Sequence, residues 1–365
     1  MKIAKYAAAL LAAAPVLATA QSSVTMYGVV DTGVEFVNNV GAAGNSVVRM
    51  NTLTGTVPSR WGMRGSEDLG NGLKSIFVLE GGFAPDSGTA NQGGRLFGRQ
   101  ALVGLQSNKY GQVSFGRQYT MLFWAVLDPD ILGPNAFGSG SLDSYIPNTR
   151  ADNSIAYKGS FGGLQVGATY SFGRDVANAG PSPAGTNCAG ENPADKSQCR
   201  EWSAMVGWDT KTWGVYAAYD SQRGGPGAFG GLTSSSLRDD RASLSGYVLL
   251  DKTKIGAGVI RRENQASATP LSELYYVGVA HDLTPAFTLS GQVYYLNYQN
   301  SDNKSMLYAV RGMYNFSKRT AVYATAGYIN NDGNLTLSVS GASAGANTKP
   351  GGQQFGAMVG VKHVF

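Results

Sequence analysis

The chain has 365 residues, 43% hydrophobic and 15% charged, with 50 Gly, 19 Tyr, 14 Phe and a formal net charge of +5. So small a positive excess, with no basic cluster interleaved with aromatics, excludes a nucleic-acid binder. Abundant glycine and aromatic residues, without long Ala/Leu/Glu/Lys runs beyond residue 20, point to an all-β chain.

At the N-terminus, Lys2 and Lys5 precede an apolar stretch from Ala7 to Leu17, interrupted by Pro15, and a small-x-small triplet, Ala18-Thr19-Ala20. That order of charge, apolar run and cleavage site is a secretory signal peptide, and the run is too short for a membrane-spanning helix. Residues 1–20 are therefore predicted to be removed. Residues 21–365 form a single domain, with 27 basic residues against 24 acidic ones once Lys2 and Lys5 are gone.

Strands follow. Over 24–36 the even positions read Val24, Met26, Gly28, Val30, Thr32, Val34 and Phe36, while Tyr27, Asp31 and Glu35 fall on odd ones. One face is apolar and the other wet. The alternation returns over 164–172, 201–208, 213–219, 241–250 and 355–365. Short turns are predicted near 69–72, 108–111, 160–163, 209–211, 251–253, 282–285 and 317–319. Longer polar connections fall at 38–57, 84–94, 118–149, 173–200, 221–240, 264–271, 299–304 and 330–352. Seven turns and eight loops join sixteen strands. This is the layout of a transmembrane antiparallel β-barrel with short periplasmic turns and long extracellular loops. A backbone in lipid has to satisfy its own hydrogen bonds, so a spanning sheet closes on itself. Tyr170, Trp202, Trp208, Trp213 and Tyr219 fall near strand ends, where aromatic girdles meet the membrane interfaces. In a soluble sandwich they would be core residues, but a sandwich gives no reason for turns that alternate short and long.

Cys188 and Cys199 lie in a Gly/Pro/Asn-rich stretch. An oxidising compartment favours their pairing into a stapled loop over two free thiols. No histidine is near them in sequence, so a metal site is not expected.

At the level of motifs, Ser23-Val24-Thr25-Met26-Tyr27-Gly28-Val29-Val30-Asp31 resembles the first strand of the trimeric Gram-negative porins of the β-proteobacterial type. The block from Ser59-Arg60-Trp61-Gly62-Met63-Arg64 through Gly65-Ser66-Glu67-Asp68-Leu69-Gly70-Asn71-Gly72-Leu73-Lys74 is similar to their second strand, first tight turn and start of the third strand. Gly98-Arg99-Gln100-Ala101, Val103-Gly104-Leu105, Tyr110-Gly111 and Gly116-Arg117-Gln118 are similar to the fourth and fifth, and Gly360-Val361-Lys362-His363-Val364-Phe365 to the closing strand. The resemblance implies a homotrimer with one pore per subunit, set in outer-membrane lipid and lipopolysaccharide. It also implies passage of ions and small hydrophilic solutes, no cofactor, and a third loop folded into the lumen.

Here that loop is 118–149. Met121, Leu122, Phe123, Trp124, Ile131, Leu132 and Phe137 make it too apolar for an exposed loop, and it carries Asp128, Asp130 and Asp143. Packing against an inner wall explains it; a capping or subunit-contact loop is the alternative. Arg60 and Arg64 share strand parity, opposite Trp61 and Met63, so both point inward, as do Lys74 and Glu80. Arg99 and Arg117 match family motifs but have ambiguous parity, and Arg150 closes the loop. Arg60, Arg64, Arg99, Arg117 and Arg150 are expected to face the loop aspartates across a constriction, setting a transverse field. For each arginine the alternative is an ion pair that merely stiffens the wall. Asp31 and Glu35 line the first strand, or pair with arginines of neighbouring strands. Lys158, Arg262 and Arg311 are further inward charges.

The function expected from these features is a general diffusion porin. A channel preferring organic or aromatic carboxylates is the alternative, since several arginines at a constriction suit carboxylate passage. A barrel enzyme needs a nucleophile or activated water with a base. The two histidines, His281 and His363, show no such arrangement in sequence, and no metal, phosphate-loop or dinucleotide motif is present. A structural or adhesive barrel would need a plugged lumen.

Overall fold

A computed structural model describes residues 23–175, 186–341 and 345–365. The proposed signal peptide lies outside the described residues. The strands are β1 (Ser23–Val40), β2 (Asn45–Met50), β3 (Arg60–Gly70), β4 (Leu73–Gly82), β5 (Gln100–Ser107) and β6 (Gly111–Tyr119). They continue as β7 (Arg150–Phe161), β8 (Leu164–Ser171), β9 (Glu201–Asp209), β10 (Trp213–Arg223), β11 (Arg238–Leu250) and β12 (Thr253–Asn264). The last are β13 (Leu271–Asp282), β14 (Phe287–Tyr298), β15 (Lys304–Asn315), β16 (Thr320–Asn331) and β17 (Gln353–Val364).

Every neighbouring pair is antiparallel. The ring closes where Val29–Val37 of β1 lies along β17 while its first residues, from Ser23, lie along β3. Sixteen strands make the ring. β2 is an addition to it, paired to the far end of β1 from Val34 to Val40. Part of the stretch 38–57, expected as polar loop, is therefore a hairpin. Val48 and Met50, paired with Phe36 and Val34, extend the exposed apolar face of β1 past the point where the polar residues suggested a break. Likewise β10 and β11 run to Arg223 and from Arg238, which shortens the 221–240 connection.

Alternation drives the sheet's two faces. In β1, Val29, Asp31, Gly33, Glu35 and Val37 are buried while Val34 and Phe36 are exposed. An exposed apolar face all round a closed sheet is stable only in hydrocarbon. Tyr170, Trp202, Trp208 and Trp213 are exposed on it, and Trp202 and Tyr219 lie with rings 5.2 Å apart. No described helix is long and apolar enough to cross a membrane; this chain crosses with strands.

The segment between β6 and β7 packs on the buried face. A short helix, Met121–Leu127, buries Met121, Leu122, Ala125 and Val126. Further on, Phe137 fits a pit left by two wall glycines. A Cβ at Gly327 would stand 2.9 Å from its ring, and one at Gly356 3.1 Å.

Cys188 and Cys199 form a disulfide with Cα atoms 5.2 Å apart, packed with Ala228 and Leu232 of the 224–237 connection. A closed loop of this length contributes roughly 2–3 kcal/mol in the chain-entropy view. Reduction is expected to leave the β signal in circular dichroism unchanged while making the 188–199 stretch sensitive to protease. Loss of β content on reduction would mean that the staple supports the barrel itself.

Candidate functional site

The inward charges sort into separate groups. In the first, the hairpin register sets Arg60 opposite Gly82 and Gly62 opposite Glu80, so Arg60 and Glu80 share the buried face. Arg99, just before β5, donates to Glu80 Oε1 at 2.7 Å and to the Tyr119 hydroxyl at 2.5 Å. Arg150 donates to the same hydroxyl at 3.0 Å and lies over the Tyr119 ring. Arg60 stands 3.6 Å from Glu80, whose other partner is the Tyr27 hydroxyl at 3.0 Å. Arg60, Arg99, Arg150 and Arg311 line one cleft of about 430 Å³. Its other side is Phe123, Trp124, Leu127, Ile131 and Leu132 of the 120–149 segment. Arg311 donates to the carbonyls of Gly55 and Leu132, tying the 51–59 and 120–149 segments together.

The structure departs from the expected opposition of arginines and loop aspartates. Asp128 is half-exposed and pairs with Lys254 at 3.2 Å. Asp130 lines the cleft but is buried, accepting from Ser139 at 2.6 Å, Tyr294 at 2.8 Å and Gln292 at 2.9 Å. Burial pushes its carboxyl above the usual range. Asp143 is held by Arg241, at 2.9 and 3.2 Å. The physical reason is common to all three: a segment packed on a wall satisfies its carboxylates with that wall. They are anchors, and Glu80 is the one carboxylate in the cleft that contacts an arginine of the first group.

Two of the expected arginines lie elsewhere. Arg64 points inward but sits further towards the 71–72 turn, exposed, over the Tyr27 ring. Lys74 is further still, opposite Asp68. Arg117 escapes simple parity because β6 bulges between Gly116 and Gln118, with Gly116 at φ +121° where a side chain would strike Ala101. It donates to Asp152 at 2.6 Å, in a cluster completed by Arg95 and Asp175.

Arg241 and Arg174 are inward charges that the sequence did not single out. Arg241 is buried and pairs with Asp143 and Asp239, beside Arg262, which grips Asp239 through two bonds of 2.8 Å. Arg174 donates to Glu201 at 3.1 Å and to Gln222 at 2.9 Å. The parity that placed Arg241 and Glu201 on the wet face was the available signal. Lys158 lies 3.7 Å over the Trp124 ring. Asp31 accepts from Thr56 and from Tyr323 at 2.7 Å, and Glu35 pairs with Arg49 at 2.8 Å. Among the described residues no group of three or more His, Cys, Asp or Glu is placed to hold a metal.

A model of the family described as Gram-negative porin matches residues 7–334. Outer membrane porin protein 32 of Delftia acidovorans is 31% identical over the full length of both chains. An outer membrane porin protein of Bordetella pertussis is 38% identical over 193 residues, 49% of this chain and 50% of that protein. Among solved structures, the anion-selective porin from Comamonas acidovorans superposes with a TM-score of 0.77 at 24% identity, covering 94% of this chain and all of that one. A closed sixteen-stranded barrel with an apolar exterior and charged clefts inside, matched in this way along its length, belongs to the Gram-negative porin family: it is an integral outer-membrane channel for small solutes and not an enzyme.

Proposed function

We propose that the cleft lined by Arg60, Arg99 and Arg150 is the constriction of the channel, and that it favours small organic anions over an indifferent flow of hydrophilic solutes. One observation carries this. Three guanidiniums converge on Tyr119 and Glu80, and that one carboxylate among them is already bonded to Arg99 and Tyr27. The opposite side offers Phe123, Trp124 and Leu127. A cation-rich wall facing an apolar and aromatic one suits a carboxylate with a hydrocarbon or aromatic body, held at both ends. In this reading the 120–149 segment narrows the lumen, the long connections face the outside, where they meet lipopolysaccharide, and the short turns face the periplasm. Three copies assemble, as the family resemblance implies. The solved Comamonas acidovorans relative is described as anion-selective, in keeping with this reading.

The test is the reversal potential of the detergent-folded protein in a planar bilayer under a KCl gradient. A chloride-favouring potential, with chloride current that benzoate reduces saturably, is the expected result. A potassium-favouring potential would overturn the proposal, and a chloride current indifferent to benzoate would reduce it to a simple anion sieve.

A further inference from the structure

Both feet of the 120–149 segment stand on the wall carboxyl of Asp220, and one of them reaches Glu201 as well. Thr120 donates to Asp220 Oδ2 at 2.8 Å. The Tyr145 hydroxyl lies 2.7 Å from Glu201 Oε1 and 2.8 Å from the same Asp220 Oδ2. The Tyr145 ring is flanked by Arg241 and Arg174, whose guanidinium carbons stand 4.3 and 5.2 Å from its centre.

With both acids ionised, the hydrogens and the charges around them would each fall one short. The first count is of hydrogens. A phenol has one to donate, yet two carboxyl oxygens are at bonding distance. If both acids were ionised, one of these contacts would set oxygen against oxygen with no hydrogen between. The phenol does not resolve this by ionising, because burial and then the charges of Asp220 and Glu201 push it well above its ordinary range. The second count is of charges. Arg174 pairs with Glu201, Arg241 and Arg262 with Asp143 and Asp239, and Arg95 and Arg117 with Asp152 and Asp175. Among the described residues no cation lies within 4.0 Å of Asp220. Its Oδ1 is buried with no partner.

We infer that Asp220 is held protonated, donating through the Tyr145 hydroxyl to Glu201, and that this one proton latches the 120–149 segment and sets the charge of the pore beside it. The inference rests on the anion-channel reading of the same lumen. In the latched state Asp220 Oδ2–H donates to the Tyr145 oxygen, whose own hydrogen goes to Glu201 Oε1, while Thr120 donates to Asp220. When the proton leaves to lumen water, Asp220 gains a negative charge facing that of Glu201. Arg174 then stands alone against two carboxylates, and Tyr145 can hold only one of them. The other groups around the pair are the Ser203 hydroxyl, which accepts from the Met121 amide, and the Gln222 amide, bound to Arg174. Neither supplies a compensating charge.

The test is the reversal potential of the full chain across a KCl gradient, repeated from about pH 4 to about pH 9, a span covering ordinary and buried carboxyls. Chloride preference is expected to be greatest at the acid end and to fall as the pair ionises, with open-channel noise rising in step. Asp220→Asn is expected to hold the acid-end preference across the whole range. Glu201→Gln, which leaves Asp220 the undivided use of Arg174, is the second variant and should also abolish the fall. A chloride preference that is flat with pH in the unaltered protein, or an Asp220→Asn variant that titrates as the unaltered protein does, overturns the latch and leaves the anion channel standing. Potassium preference at every pH overturns the anion-channel reading, and the latch with it.

Discussion

Replacing Arg60 and Arg150 together by glutamine is expected to lower the chloride-over-potassium permeability ratio at least about tenfold. A unit charge about 4 Å from a permeating ion in water is worth about 1 kcal/mol, or about fivefold in a ratio, and two such charges act on the same cleft. These two positions make a clean test. Arg150 bonds the Tyr119 hydroxyl, and Arg60 stands a loose 3.6 Å from Glu80. Arg99 holds Glu80 at 2.7 Å, and its removal would strand a buried carboxylate and confuse selectivity with stability. The effect should shrink in concentrated salt, because the screening length falls from about 10 Å at 0.1 M to about 3 Å at 1 M. A double variant that keeps its ratio within about twofold at low salt would move the selectivity filter away from this cleft. The charges beside Asp143 and Arg241 would then be the next place to look.

Parity was the most legible feature of this sequence, and also where it ran out. Period-2 alternation with a glycine-rich composition is enough to give the sheet, its closure, its wet face and nearly all of its turns. The reason is that lipid outside and water inside impose a pattern that no tertiary contact can override. At Arg117 parity was ambiguous, because β6 bulges at Gly116, and the residue that its motif grouped with Arg99 instead joins Asp152. The larger difficulty was the 120–149 segment. Its sequence shows three aspartates and an apolar surplus, both of which call for a wall. It does not show which wall residues will answer, because those lie about a hundred residues or more away: Arg241 for Asp143, Tyr294 and Gln292 for Asp130, Lys254 for Asp128. A loop's charges cannot be assigned to the lumen or to its own anchorage until its path around the ring is known. Here anchorage took all three, so the expected transverse field gives way to a cleft in which four arginines outnumber the carboxylates, Glu80 and the buried Asp130.

That anchorage makes Arg241 the residue whose loss should harm the protein most. Arg241→Met is expected to destabilise the barrel by roughly 3–5 kcal/mol, the range found when one partner of a buried ion pair is removed. Arg241 is itself buried and serves both Asp143 and Asp239. Burial alone would push the Asp143 carboxyl up. Arg241 first and Arg262 second outweigh it and hold the group at about 2. A carboxyl held below its unfolded value of about 3.9 stabilises the fold above that pH and loses the contribution as pH falls towards 2, here about 2 kcal/mol. In the unaltered protein Asp143 should therefore add no slope to the melting temperature between about pH 7 and about pH 5. In the variant the balance tips the other way. With Arg262 as its remaining cation, Asp143 becomes a charge that the fold would rather neutralise, so the melting temperature should be lowest at neutral pH and rise on acidification. Thermal unfolding of the detergent-folded barrel, followed by circular dichroism at both pH values, reads this directly. A uniform drop at both would show the lost stacking of the Arg241 guanidinium over the Tyr145 ring instead of a lost ion pair. No drop at all would mean that the segment is held by its apolar side, with Phe137 in its glycine pit sufficient to keep it against the wall.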